Sequence, residues 1–545
     1  MMGFGPLGGL ALAEVDAVAA QALIARTLLY GDHTWPSDPD DTPASTTIEG
    51  RLGPFVLRSE IGTNGGWWLG ASATELGQIA LVNTDGGMDS VLESAFADGR
   101  KVRLKVAPKV TDAYGRSTPP PLSQFGTVVE ALAGPWLAAE GNPRLPLLGA
   151  LSRLDRPLQG NRYGGSGGID GTAEIAGKTK PYGLGYLRNI PLELVDPNLN
   201  IYHVVDGAAR AFLALRDGGY PLTLAQTVDS YSALAEVEPD DGAYALWLGG
   251  CFVKLGIPPA RRLTADVEAG DASEGVSFFT DGSGFTDGSG FGDIVLNQYV
   301  ETTAGLIARI IREKAFEPSA SVETTSFEVL DRDVPGRVGW FQPAGGEATV
   351  LQAVGEIAAG AGAWIADDSF NRYQVGRVGP PPTGAGRRLT DRHIKAIYRV
   401  DLPYRIPPSQ VQVNYDRTWQ VQTADELVSE APGDARQAAV TEYRQASQSL
   451  PDVSAAFPSA RPMVVNSLFA DRDAAVALAQ HLAATYGLGR RLYEIHTPLL
   501  GASIRRGMAI HITYPVAGFR GGAYCDVIAV EISTALREAR ITVLA

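Results

Sequence analysis

The chain is poor in cysteine, histidine and positive charge, and each shortage removes a class of chemistry. Among 545 residues there are two cysteines, Cys251 and Cys525. Two thiols cannot build a four-cysteine zinc site or an iron–sulfur cluster within one chain. They can form one disulfide, although isolated pairs more often stay reduced in a core. The six histidines, at positions 33, 203, 393, 481, 496 and 511, lie far apart, and no HExxH pair occurs. No run of about 18 apolar residues exists, so no helix is expected to span a membrane. The apolar N-terminus, MMGFGPLGGLALAEVDAVAAQALIA, lacks the basic start of a signal peptide and is interrupted by Glu14 and Asp16. It reads as an Ala-rich first helix. With 46 basic against 61 acidic residues the formal charge is −15. That excludes a general nucleic-acid binder, which needs a basic face to release counterions. It is compatible with a surface that DNA passes without sticking.

Glycine (63) and proline (35) are abundant, so turns are frequent and strands are expected to outnumber long helices. The length suits roughly three or four domains of about 100–200 residues. GRLGPFVLRSEI, ELGQIALVNTD, GRKVRLKVA and FGTVVEALAG alternate or run apolar at strand length. Residues 155–172, DRPLQGNRYGGSGGIDGT, read as a mobile Gly-rich surface loop. A second block, from about Lys178 to Asp266, gives further strands with turns at Pro197-Asn198, Asp206-Gly207 and Asp217-Gly218-Gly219. The pattern then turns helical. Leu306, Ile307, Ile310 and Ile311 have helical spacing, and GEATVLQAVGEIAAGAGA predicts a second helix. A hairpin turning at 367–371 follows. In the last block Asp471 and Gly487 suit the ends of a helix, and four closing strands are predicted.

Catalytic motifs fail on their context. GTAEIAGKT (171–179) ends in Gly177-Lys178-Thr179 like a phosphate loop, but Thr172 stands where glycine is needed and Pro181 blocks the following helix. Gly164 to Gly168 formally match GxSxG around Ser166, but loop lies on both sides where a nucleophile elbow needs a strand and a helix. EVEPDDG crowds Glu236, Glu238, Asp240 and Asp241 around Pro239 and Gly242, which reads as a solvated turn. Trp67-Trp68 and Trp340-Phe341 could serve as stacking platforms, although buried strand ends or subunit contacts are the commoner role. No catalytic, cofactor-binding or metal-binding residue is assigned, no cofactor is expected, and the chain is read as a non-enzyme.

A duplicated hexapeptide, TDGSGFTDGSGFGD (280–293), repeats aspartate every six residues at 281, 287 and 293. It lacks the alternating acids and closing Glu of an EF-hand loop and the stacked nonapeptides of a calcium β-roll. It reads as a connecting loop whose Phe285 and Phe291 could anchor on a neighbouring subunit.

The order of segments resembles the baseplate hub proteins of tailed bacteriophages and gene transfer particles. HTWPSDPDDTP (33–43) with GQIALVNTDGGMDSVLESAFADGRKVRLKV (77–106) is similar to the family's N-terminal tube-like barrel. AGKTKPYGLGYLRNIPLELVDPNLNIYHVVDG (176–207) resembles the entry to its next domain. The C-terminal run ending in LAATYG, then IRRGMAIHITYPVAGFRGGAYCDVIAVEIS (504–533), carries the third resemblance. The resemblance covers about four-fifths of the chain, and its motifs are structural.

It implies a β-rich α+β multidomain fold with two tail-tube-like β-barrels and inserted α/β hub domains. The corresponding division is 1–177 (first helix and barrel), 178–279 (second β-rich domain), 280–293 (connecting loop), 294–387 (α/β domain) and 388–545 (barrel-containing C-terminal domain). It further implies a homotrimer whose six barrels match the sixfold tail while threefold features face a fibre or spike. Implied partners are the distal tail ring, the tape-measure protein and fibre or receptor-binding components. DNA would pass through the lumen without specific binding, and the location would be the virion tail tip, assembled in the host cytoplasm. Unlike some relatives, the sequence has no cysteine cluster and stops at Ala545 after its last strands, so a spike or fibre is expected to be a separate protein. Two rival readings are a tail-associated cell-wall hydrolase and a host-polysaccharide-binding module, the latter drawing on the Trp and Tyr content.

Overall fold

The computed structural model describes residues 9–19, 25–108, 110–111, 117–137, 141–270, 302–384, 386–498, 503–516 and 518–545. The repeat at 280–293, with Phe285 and Phe291, lies outside the described residues.

A 14-stranded sheet joins segments from both ends of the sequence. Its path runs Ala25–Gly31, Gly9–Ala19, Lys101–Pro108, Gly126–Ala133, Arg144–Leu148, Glu75–Ala80, Val56–Glu60, Ala523–Ser533, Glu538–Leu544, Leu492–Pro498 and Ala396–Val400. Ala509–Ile512 and Arg387–Leu389 branch from the strand 523–533.

The N-terminal half of this sheet rolls upon itself. Residues 49–53 stitch its first strand to its sixth: Gly31 N–H donates to the Glu49 carbonyl (2.8 Å) and Leu52 N–H to that of Gly31 (2.9 Å). On the other side Val82 N–H donates to Arg51 (2.7 Å) and Gly53 N–H to Ala80 (2.9 Å). Inside lie Ala13, Val15, Ile79, Leu104, Leu145 and Leu147, all buried. The C-terminal half encloses a separate core of Leu389, Ile495, Ile510, Ile512, Val527, Ile541 and Val543. The strand 523–533 belongs to both. Its first residues pair with 509–512, and residues 529–533 pair with 56–60, Leu57 facing Ile532. A register shift at Val527/Ala529 against 538–544 marks the change, as a bulge bends a strand and raises its twist.

The expected first helix is instead the strand Gly9–Ala19. Alanine favours helix, but here the period-two pattern of AEVDAVA prevails. Ala13, Val15 and Ala17 are buried, while Glu14 and Asp16 on the other face meet a cross-strand row of cations. Lys105 pairs with Glu14, and Arg103 reaches Asp16 at 3.8 Å and Glu130 at 3.2 Å.

Two five-stranded sheets form the second β block. One runs Tyr220–Pro221, Ala209–Asp217, Leu263–Ala269, Tyr182–Pro191, Gly339–Gln342; the other runs Glu193–Asp196, Ile201–His203, Phe252–Leu255, Ala243–Trp247, Thr223–Thr227. Leu187, Leu215 and Val267 from the first pack with Val204, Leu246 and Val253 from around the second. Strand alternation therefore turns Tyr186, Arg188, Arg216, Asp266 and Glu268 to the opposite face of the first sheet.

The helices Thr303–Lys314, Thr324–Asp333, Val350–Gly360 and Arg472–Tyr486 share the largest core with the hairpin Ala363–Asp367/Tyr373–Arg377. Side chains cap the starts of the first three, whereas Asp471 makes no side-chain cap bond at the start of 472–486. Thr302 Oγ1 accepts from Gly305 N–H (3.2 Å), and Thr349 with Gln352 forms a reciprocal capping box. A three-stranded sheet, Arg444–Ser449, Gln410–Tyr415, Met463–Asn466, packs on the last helix.

The segment 155–172 is more firmly held than its glycines suggested. Tyr163 is 1 % exposed and hydrogen-bonds His203 at 2.8 Å, while Gln159 and Asn161 both donate to Asp206. The tyrosine ring gives the loop an anchor in the second block, which glycine content alone does not register.

Candidate functional site

Motif residues weighed in the sequence are occupied in structural roles. Lys178 pairs with Glu193 at 2.7 Å, and Thr179 Oγ1 donates to the Gly346 carbonyl. Ser166 Oγ donates to Asp170 at 3.3 Å. Glu236, Glu238, Asp240 and Asp241 are all exposed. Trp340 and Phe341 are buried, and Trp340 Nε1 donates to Glu356 Oε2 at 2.9 Å. Cys251 and Cys525 are free and buried, and burial pushes both thiols up to about 12. Burial holds His203 and His481 down at about 4, so both are neutral near pH 7. Among the described residues no group of three or more His, Cys, Asp or Glu could hold a metal ion. Among the same residues no helix is long and apolar enough to cross a membrane.

Two concavities have polar walls, and they differ in what their charges are doing. The smaller, about 370 Å³, lies on the outward face of the first five-stranded sheet and is lined by Arg188, Arg216, Arg337 and Arg444. Every one of these cations already has an acid. Asp416 accepts from Arg188 and, at 3.1 Å, from Arg444. Arg216 holds Asp266 through two bonds of 2.7 and 2.6 Å, the fork geometry that favours arginine over lysine. Arg337 lies 3.3 Å from Asp471 and 3.6 Å from Glu268. Burial pushes Asp416 up despite its two cations. This recess is an electrostatic lock that ties the second β block to the segment carrying Asp416 and Arg444.

The larger concavity is a cleft of about 730 Å³ with Trp67, Glu356, Arg417, Tyr443, Val464 and Asn466 in its wall. Its floor is the helix 350–360. One side is the stretch 63–71, whose Gly70–Ala71 pairs with the hairpin strand 363–367; the other is the edge strand 463–466. Trp67 and Trp68 enter an aromatic group with Tyr404 and Tyr486. Trp67 stacks on Tyr404 at 4.7 Å and 19°, and Trp68 N–H donates to Tyr486 Oη at 3.2 Å. Trp68 is 3 % exposed, whereas Trp67 is half-buried and faces the cleft. The Arg417 guanidinium lies 4.2 Å over Trp419 and 5.7 Å from the Tyr443 ring. NGGWW was the only part of this wall that the sequence singled out as a candidate binding surface; the helix beneath was predicted only as a helix. Glu356, Arg417, Tyr443 and Asn466 come from separate segments, and only the fold brings them together.

Fold and site thus define a β-rich α+β protein of several sheets, with an internal ion-pair lock and an open aromatic-polar cleft. No family model matches the chain, and no curated protein matches it. Among solved structures the chain is similar to a tail protein from Neisseria meningitidis MC58, at 8 % identity over 99 % of this chain and 97 % of that one, with a TM-score of 0.35. It is similar to a chain in the virion of a native gene transfer agent particle, at 15 % identity over 68 % and 84 %, with a TM-score of 0.39. It is also similar to the 43 kDa tail protein of prophage MuSo2 from Shewanella oneidensis, at 9 % identity over 92 % and 96 %, with a TM-score of 0.31. No catalytic family is indicated. Similarity at these scores leaves the functional reading to rest on the chain's own residues.

Proposed function

We propose that this chain is a structural baseplate hub of a phage tail tip, a trimeric adaptor between a sixfold tail and a threefold fibre or spike. The observation that carries the reading is the pair of β units in one sheet, each with its own core, fused through the pairing of 56–60 with 529–533. In this reading each unit is one tube-like barrel, so three copies of the chain present six similar β surfaces to a sixfold ring. The chain segments 1–177, 178–279, 294–387 and 388–545 are its working divisions, with the first and last contributing to the shared sheet.

The partners are a distal tail ring, a tape-measure protein and fibre or receptor-binding components. The formal charge of −15 suits a wall past which DNA moves without adhering. A hydrolase, the rival reading, would need a facing acid pair, an activated nucleophile or a metal site. The test is oligomeric state and symmetry. Light scattering on the purified full chain is expected to give a trimer, and electron microscopy of particles a threefold hub at the tail tip. A chain that stays monomeric both in solution and in particles overturns the proposal.

A further inference from the structure

We propose that the 730 Å³ cleft over helix 350–360 is a binding site for a neutral saccharide. The proposal goes beyond the hub reading and does not depend on it.

The volume falls in the range of about 300–1,000 Å³ usual for small-molecule sites. Its wall combines aromatic rings with planar polar side chains. A pyranose needs both, because it has an apolar C–H face and a rim of hydroxyls that each donate and accept. The rings are Trp67 and Tyr443. Trp67 is held in place by the stacked Tyr404 behind it.

The polar groups are fixed by neighbours and keep spare hydrogen-bonding capacity. Asn466 Oδ1 accepts from Asn414 Nδ2 at 2.7 Å, and Asn414 Oδ1 accepts from Gln412 Nε2 at 3.0 Å. This amide chain spends the Asn466 oxygen and leaves its N–H₂ to donate. Glu356 is oriented by Trp340 through Oε2, leaving Oε1 to accept. Arg417 is pinned by its stacking on Trp419 and lies 3.6 Å from Glu442 through Nη2. A ligand hydroxyl therefore meets donors and acceptors already aimed, which lowers the ordering cost of binding.

Charge selects the ligand class. Among the described residues the wall holds one charge of each sign, Glu356 and Arg417, and Arg417 already lies beside Glu442. A phosphate or nucleic acid would call for an excess of cations. The cleft is open along Thr63, Asn64 and Gly65, so an oligosaccharide could enter side-on.

The experiment presents the full chain to an array of neutral and anionic oligosaccharides. Hits are then titrated by tryptophan fluorescence and saturation-transfer NMR. Saturable binding of a neutral oligosaccharide is expected. Asn466→Ala and Glu356→Gln should each weaken it by about five- to tenfold, the loss of one hydrogen bond, with an unchanged melting temperature. Tyr443→Ala should weaken it as well. No saturable neutral ligand, retention of anionic glycans alone, or binding that Asn466→Ala and Glu356→Gln leave untouched would each overturn the assignment.

Discussion

The two halves of the shared sheet are cored by different residues. Alanine and leucine dominate the N-terminal interior: Ala13, Ala17, Ala95, Ala131, Leu76, Leu104, Leu145 and Leu147. The C-terminal interior is built on Ile394, Ile495, Ile504, Ile510, Ile512 and Ile541 with Val527, Val530 and Val543. β-Branched side chains fit a pleated sheet and are stiff at χ1, so the second unit carries its strand preference locally. The first unit has less local preference and relies on its pairing. On its outer face Glu14, Asp16, Arg103, Lys105 and Glu130 form a ladder of opposite charges across three strands. Where the hairpin 363–377 meets the shared sheet sits a buried pair, Arg506 at 3.3 Å from Asp367, with Arg506 Nη1 reaching the Glu60 carbonyl at 3.4 Å. Burial pushes Asp367 up and Arg506 down. Gly149 permits the carboxylate's position, since a Cβ there would lie 2.6 Å from Asp367 Oδ1.

The strongest way to break the contrast is at that pair. Arg506→Ala leaves the Asp367 charge buried without its partner and is expected to cost about 3–5 kcal/mol, read as a lower urea midpoint. Next come single truncations inside each unit. Ile541→Ala and Leu145→Ala are each expected to cost about 2–5 kcal/mol. If the shared sheet makes the units cooperative, both variants will shift one transition; two separated transitions would show that the units melt apart.

A third test is pH. His203 and His481 have folded values near 4 against about 6.5 when unfolded. Their contribution is complete above about pH 6.5 and is lost as pH falls through about 4. Asp526, in the C-terminal unit beside Arg490 at 3.2 Å, is pushed up to about 6 by burial. Its sign is opposite: the contribution is complete below about pH 3.8 and is lost as pH rises through 6. Acidification from 6.5 to 4 should therefore destabilise the chain, with Asp526 offsetting part of the loss. His481→Gln should reduce the slope by about one proton, near 1.4 kcal/mol per pH unit, in denaturation midpoints measured across that range.

The smallest expected effect is on the outer ladder. Lys105→Gln should cost about 0.2–1 kcal/mol and become nearly neutral in 1 M salt.

The same contrast explains what could be read from the sequence. The closing strands 492–498, 509–512, 523–533 and 538–544 were legible because isoleucine and valine recur at strand spacing. The helices 303–314, 350–360 and 472–486 were legible from apolar spacing, although Asp471 makes no side-chain cap bond. The strand 9–19 is hard to read because alanine's helix preference competes with the alternation of AEVDAVA. Partners that decide it, Arg103 and Lys105, are some ninety residues away. The cleft was illegible for a similar reason. Trp67 announces itself as an aromatic pair, but its companions Glu356, Tyr443 and Asn466 are ordinary residues in ordinary contexts until four segments meet.

The pairing of 56–60 with 529–533 also has a consequence in time. Phe55 and Thr534, bonded to each other at the edge of that pairing, are 479 residues apart. At about 5–20 residues per second of synthesis, roughly 24 to 96 seconds separate the emergence of the two strands. Through that interval the strand 56–60 lacks the partner that covers one of its edges, and bare edges invite wrong partners. A growing chain in a crowd of identical growing chains must therefore keep this edge from its neighbours until its own last strands arrive.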